Sequence, residues 1–510
     1  HILERYRLDA WHCGIGLQDV ETARQFNRYQ HELAHLSTVF MHNVASDEEQ
    51  PVRLALSADE IDGLPLWLLA AAANAAREAG HEQATAESGP WLLQPSPAVH
   101  AAVLESGTDR ELRQEMHLAA MTRGWQDGAA DAGEGAGGAG AGEGASGDNS
   151  WAIKRMLELR RKWASAVGYE TFADMVFAVR MANIRQVDAL LRSLQNASLP
   201  AARAELAELE AFAQAHGAPE ELRPWDVAFW REQLRAERFG AVAADLRPYL
   251  ALPSVLDALF GLVHRLFGVD ISAADDEAPR WHETVRFFRV VDSATSVPLG
   301  GFYLDVHDAP RKRRPGFWAG KNLGYSKLMG KNGAPRLPIA HIIGDLAPPE
   351  SDKLPAFFTF PQVEALFGAT GRALQELLTD QREGLAAGAR GVELDAVGFP
   401  PRFMELWAHD RDVLRSLRHF KTGEQPNEAL IDSIVASQAF HAGAGLLEEV
   451  RLARLDIELH ARYDPDGTET PFDVARRVNE ELAVMPSAAD EHELCGLLGP
   501  FAEGRAAGAY

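Results

Sequence analysis

Apolar residues recur at three- and four-residue spacing along almost all of this chain, the period of helices that bury one face. Near the N-terminus Ala23, Phe26, Tyr29, Leu33, Leu36 and Phe40 hold that period, and no strand signal surrounds them. Ser57-Ala-Asp-Glu60 has the form of a capping box, a hydroxyl and a carboxylate three residues apart, and is expected to open the next helix. Helices resume at about Trp151 and continue to about Gly268, with Pro200 expected to divide one long periodic stretch because proline removes an amide. From Thr284 the pattern changes. TVRFFRVV, GGFYLDV and LPIAHII are short, rich in β-branched and aromatic residues, and bounded by Pro, Gly and Asp. After Pro361 the helical period returns and holds to the end. A mostly helical protein with one small sheet late in the chain is therefore expected.

Its 510 residues are enough for several domains at roughly 100–200 residues each. Lys and Arg total 50 against 74 Asp and Glu, a formal charge of -24, so most of the surface would repel a phosphate backbone or an anionic membrane. Neither nucleic acid nor a membrane is an expected partner. Cys13 and Cys495 are too few for a disulfide framework or a four-thiolate metal site. The longest apolar run, Leu64 to Ala76, falls short of the ~20 residues that span a bilayer. The chain begins with His1, so its compartment is not legible from a leader.

Between Gln126 and Gly147, 16 of 22 residues are Gly or Ala and every charge is acidic, the composition of a flexible insert with nothing to bury. A dinucleotide fingerprint at Gly133, Gly135 and Gly138 lies inside this tract with no strand before it, so its context fails. Gly316 to Lys321 has only three residues between its glycines, and Asn322 stands where a phosphate loop needs a hydroxyl. The basic run Arg311 to Arg314 reads as a solvated loop.

His31-Glu-Leu-Ala-His35 is a literal H-E-x-x-H. Two His four apart share a helix face and can grip Zn²⁺, the Glu between them can take a proton from bound water, and Glu60 is a candidate third ligand. Against this set stands its place near the start of the chain with no strand preceding it.

LRPWDVAFW (222–230), WHETVRFFRVVD (281–292), GGFYLDVHDAPRKR (300–313), PQVEALFGATGRALQELL (361–378), VELDAVGFPPRFMELW (392–407) and LARLDIELH (452–460) resemble, in order and spacing, the thimet oligopeptidase and oligopeptidase A family of zinc endopeptidases. The plant organellar type is the nearest in flavour. The resemblance implies a two-lobed, helical, zincin-like fold with a small sheet and a deep central channel that admits short peptides. It also implies three regions: an N-terminal helical region over 1–125, the insert over 126–149, and an oligopeptidase-like region over 150–510 that stops inside a motif the family continues. A monomer in the cytoplasm or in a plastid or mitochondrion is the implied setting.

The family's zinc helix opens F-H-E-F-G-H-A-L, and this chain reads Phe367-Gly-Ala-Thr-Gly-Arg-Ala-Leu374 there. The resemblance therefore places the two His ligands at Gly368 and Arg372, the general base at Ala369, and the third ligand at Gly398. A His that polarises the scissile carbonyl falls at Gly499, and two tyrosines fall at Arg505 and Ala509. The family cofactor is one zinc ion, but Gly and Ala offer no lone pair and Arg372 is a permanent cation, so none is expected here. Val363, Leu366, Phe367, Leu374 and Leu377 keep the apolar stripe that seats the helix, while Asp395, Glu405 and Tyr510 remain as peptide-channel candidates. The expectation is a catalytically inactive oligopeptidase homologue that binds short peptides. The alternatives are an active zinc enzyme using His31, His35 and Glu60, and a regulatory or structural partner of an active paralogue.

Overall fold

The structure is a computed structural model that describes residues 2–55, 57–126, 147–240, 242–307, 316–330, 333–347, 349, 353–381, 383–485 and 492–502. Most of the Gly/Ala tract, with Gly133, Gly135 and Gly138, lies outside them, as do Arg311 to Arg314. Compactness divides the chain into two units: one comprises the residues up to Tyr6 and Phe239–Phe440, the other Arg7–Arg238 and the residues from His441 onward.

The second unit is helical. Helix α1 (Val20–Glu49) starts where the Asp19 side chain accepts from the Thr22 amide, and it buries Phe26, Leu33, Leu36 and Phe40. The absence of strands expected here fails over two short segments. Strand β1 (Arg53–Ala55) pairs antiparallel with β2 (Trp91–Leu93), and the pair buries Ala55, Trp91 and Leu93 with residues of α2 (Leu66–Glu78). Three-residue strands carry too few positions to register a period, so burial against α2 decides them. The Ser57 capping box also acts elsewhere than expected: Glu60 Oε2 accepts from the Ser57 amide and hydroxyl around the turn Asp59–Ile61, whereas α2 begins after Pro65. Helix α3 (Ser150–Ala166) resumes as expected. Pro200, in contrast, does not divide α4, which runs unbroken over Ile184–Ala215. One lost amide bond is outweighed there by packing. Helix α8 of this unit (Ala442–Ile457) docks so closely that a Cβ on Gly443 would lie 2.7 Å from that of Ala201, and Glu205 accepts from the Gly443 and Ala444 amides.

The first unit carries the sheet. Helix α5 (Leu252–Phe267) ends at Gly268, whose φ of 63° only glycine adopts freely, and the chain turns directly into β3 (Val269–Ala273). Strands β4 (Arg286–Asp292), β5 (Pro298–His307), β6 (Trp318–Leu323) and β7 (Ile339–Leu346) complete a five-stranded sheet of order β3-β4-β5-β7-β6, with only β5 and β7 parallel. The three expected strands are β4, β5 and β7. Edge strand β6, Trp-Ala-Gly-Lys-Asn-Leu, has no β-branched residue and takes its conformation from pairing with β7. Helix α6 (Phe360–Leu377) packs on the sheet, and α7 (Phe399–Leu406) packs on α6. Their core joins Phe288, Val290, Phe302, Leu304, Ala340 and Ile342 to Val363, Leu366, Phe367 and Leu374.

Among the described residues one stretch, Glu428–Arg462, has the length and composition to cross a membrane. His441, at φ 52°, divides it into helices of 11 and 16 residues, each short of the ~20 a bilayer needs.

Candidate functional site

Helix α6 is built to start sharply. The Thr359 hydroxyl accepts from the Gln362 amide, Gln362 accepts in return from the Thr359 amide, and Pro361 fills a position that needs no N–H. Val363, Leu366, Phe367, Leu374 and Leu377 are all buried, so the apolar stripe seats the helix as expected. A second face, carrying Gly368 and Gly371, meets α7. A Cβ on Gly371 would fall on the Pro400 carbonyl, 2.8 Å from its carbon, and one on Gly368 would lie 2.5 Å from Glu405 Oε1. Glycine at both positions lets the two helices approach to backbone contact.

The resemblance-derived positions are distributed around this joint. Ala369 is buried in α6. Arg372 is partly buried, and its Nη1 donates to the Val397 carbonyl and to Gln375 Oε1, each at 3.2 Å. No carboxylate pairs with it among the described residues. Gly398 precedes α7 with open space where its Cβ would be, and Asp395 is partly buried just before it. Glu405 accepts from Arg402 Nη1 at 3.0 Å, and its carboxylate fills the volume in front of Gly368. One turn beyond Arg372, buried Glu376 accepts from the Ala389 amide and lies 3.7 Å from Lys321 Nζ on β6. Burial pushes the His341 imidazole, beside Trp318 and Gly320 in the same sheet, below its ordinary pKa.

The remaining candidates belong to the other unit or fall outside the described residues. Gly499 lies in α9 (Leu498–Phe501) of the other unit, with nothing near its Cβ position, and Arg505, Ala509 and Tyr510 fall outside the described residues. His31 and His35 stand on the exposed face of α1 opposite buried Leu33 and Leu36, Glu32 pairs with Arg155, and Glu60 is held by Ser57. No group of three His, Cys, Asp or Glu that could hold a metal occurs among the described residues, so this alternative ligand set does not assemble. The helix period does put both His on one outward face, but Glu60, held by Ser57, does not complete the set.

Residues 138–510 match the profile of Peptidase family M3. The chain belongs to peptidase family M3. Organellar oligopeptidase A, chloroplastic/mitochondrial, of Arabidopsis thaliana is 38% identical over 98% of this chain, and a cytosolic-type oligopeptidase A of the same plant is also 38% identical over 98% of it. The chain spans 61% of the first relative's length and 68% of the second's. A solved chain from Chlamydophila abortus shares the fold, with a TM-score of 0.52 at 12% identity over 98% of this chain and 63% of that one.

Membership of the M3 family makes a zinc ion the group to test against the residues present. Gly368, Ala369 and Gly398 carry no donor atom, and the guanidinium of Arg372 donates hydrogen bonds only. Those residues do not fit a divalent cation. What this face of α6 does carry is a fixed cation beside a close helix joint. Ligand-centred reading passes over Gly371, although glycines three residues apart inside one helix are the available signal for such a joint. No local pattern marks Val397, whose role is a carbonyl that meets Arg372 across 25 residues of sequence.

Proposed function

We propose that this chain is an M3-family protein that binds short peptides and does not hydrolyse them. One observation carries the reading: along one face of α6 the side chains are Gly368, Ala369 and Arg372, and the volume in front of the first is filled by Glu405. Zinc hydrolysis needs three protein ligands, an open position for water and a base within hydrogen-bond reach, and neither the ligands nor the base is supplied there. The apolar seat of α6 and the sheet are intact, which supports retention of a peptide-binding scaffold. Relatives named for organelles and for the cytosol support a cytoplasmic or organellar setting.

The test combines elemental analysis with a quenched fluorescent oligopeptide. The purified chain is expected to carry no stoichiometric zinc and to leave the peptide intact from acid to alkaline pH. Bound zinc near one per chain, or cleavage that a chelator abolishes, would overturn the reading.

A further inference from the structure

Arg372 is one of several arginines of its unit, with Arg336 and Arg418, that donate to backbone carbonyls and have no carboxylate partner among the described residues. Acidic residues outnumber basic ones in this chain, and Arg402, Arg411 and Arg415 of the same unit all hold carboxylates. The Arg372 guanidinium is partly buried and has no carboxylate partner among the described residues. Its orientation is nevertheless fixed, because Nη1 is shared between the Val397 carbonyl and Gln375 Oε1. A guanidinium has five N–H donors in one plane. Anchoring Nη1 leaves the edge formed by Nε and Nη2, whose two parallel N–H groups match the two oxygens of a carboxylate.

The segment that anchors it carries a second feature. Two residues after the anchoring Val397, Phe399 is 69% exposed and stacks on Phe403 with ring centroids 5.9 Å apart. Leu394 and Leu406, flanking it in sequence, are exposed as well. A cation held by a segment that also carries exposed aromatic surface suits a ligand that joins one negative charge to one apolar group, and the end of a peptide chain is such a ligand.

We propose that Arg372 receives the C-terminal carboxylate of a bound peptide, with Phe399 covering an apolar final side chain. The proposal rests on the peptide-binding reading above and names the end of the peptide that is recognised. Val397 and Gln375 act as positioning residues, since they hold the guanidinium plane without touching the ligand.

The test uses the full chain and a nonapeptide that ends in Leu and lacks Asp and Glu, prepared as the free acid and as the C-terminal amide, with binding read by fluorescence anisotropy. The free acid should bind about tenfold or more tightly than the amide, the effect of charge-assisted hydrogen bonds at a partly buried site. Arg372→Gln should bring the two forms to equal affinity, and Arg372→Lys should keep part of the difference, because it retains the charge and loses the fork. A free acid that ends in Gly should bind more weakly than the one ending in Leu. Equal affinity of acid and amide for the unaltered chain would overturn the role of Arg372 and leave peptide binding standing. A preference that survives Arg372→Gln would place the carboxylate elsewhere and overturn the proposal in the same way. Absence of binding by either peptide, or cleavage of either, would overturn the peptide-binding reading itself.

Discussion

Two polar regions of this protein, each within its own unit, contrast in what completes them. In the helical unit His460 is fully buried: its Nδ1 lies 2.9 Å from both the backbone and the side-chain oxygen of Asp456, and its Nε2 faces Arg160 Nη1 at 2.8 Å. Arginine can only donate, so Nε2 accepts and Nδ1 carries the proton. The Arg160 guanidinium lies over the Phe172 and Phe501 rings, and burial pulls it down to about 10 against the opposing effect of Asp456. Every partner in that cluster belongs to the protein. On α6 of the other unit, the residues Gly368, Ala369 and Arg372 complete no such cluster, and Glu405 of a neighbouring helix fills the volume in front of Gly368. A buried polar group stays in place when protein atoms satisfy it. A position whose partner must come from solution imposes no such internal constraint.

The widest separation of the two regions should come from rebuilding a metal site on α6. Gly368→His, Ala369→Glu, Arg372→His and Gly398→Glu together, with Glu405→Ala to clear the volume, are expected to bring binding to about one zinc per chain by elemental analysis, since positions 368, 372 and 398 then supply three ligands and position 369 the base. The same four changes with Glu405 kept should bind less, because a Cβ at 368 would stand 2.5 Å from its Oε1. Equal loading with and without Glu405 would show that this carboxylate does not define the joint.

Next in size is His460→Ala. It leaves Arg160 buried without its acceptor and should cost about 3–5 kcal/mol in chemical denaturation. A cost below about 1 kcal/mol would mean that the aromatic rings alone satisfy the guanidinium.

His100 supplies a pH-dependent counterpart within the helical unit. Burial, with His117 and Arg123 nearby, lowers its pKa to about 4 from 6.5. The unfolded chain therefore binds the proton more readily, so the stabilisation is fully present above pH 6.5 and is lost as pH falls toward 4. The difference should not exceed about 3 kcal/mol. Denaturation midpoints of the unaltered chain should fall between pH 7 and pH 4.5 more than those of His100→Phe, and identical slopes would remove His100 as the cause.

The smallest effects form a series along the α6–α7 joint. Gly371→Ala, which meets the Pro400 carbonyl, should destabilise by about 2 kcal/mol. Gly368→Ala meets a side chain and no backbone atom, with Glu405 Oε1 at 2.5 Å and Cγ at 2.9 Å from the new Cβ, and should cost about 1 kcal/mol or less after the gain in helix propensity. Gly398→Ala enters open space at φ -80° and should change stability by under about 0.5 kcal/mol. Thermal unfolding of the three variants would rank them, and a reversed order would show that backbone approach does not govern this joint.

What the amino-acid sequence by itself determined is whatever depends on near neighbours along the chain. The helical period, the apolar stripe of α6, strands β4, β5 and β7, and the lack of donor atoms at Gly368, Ala369 and Gly398 are all legible within a few residues. Tertiary structure alone decided what depends on distant partners. Strand β6 exists because β7 offers it a ladder, and α4 continues through Pro200 because α8 lies along it. The His31 and His35 pair faces outward because Leu33 and Leu36 hold the opposite side of the helix in the core. Gly371 matters because Pro400 sits against it, and Arg372 is held by a carbonyl 25 residues away. Spacing along one helix specifies which side chains share a face, whereas the partner opposite that face is set by how the whole chain packs.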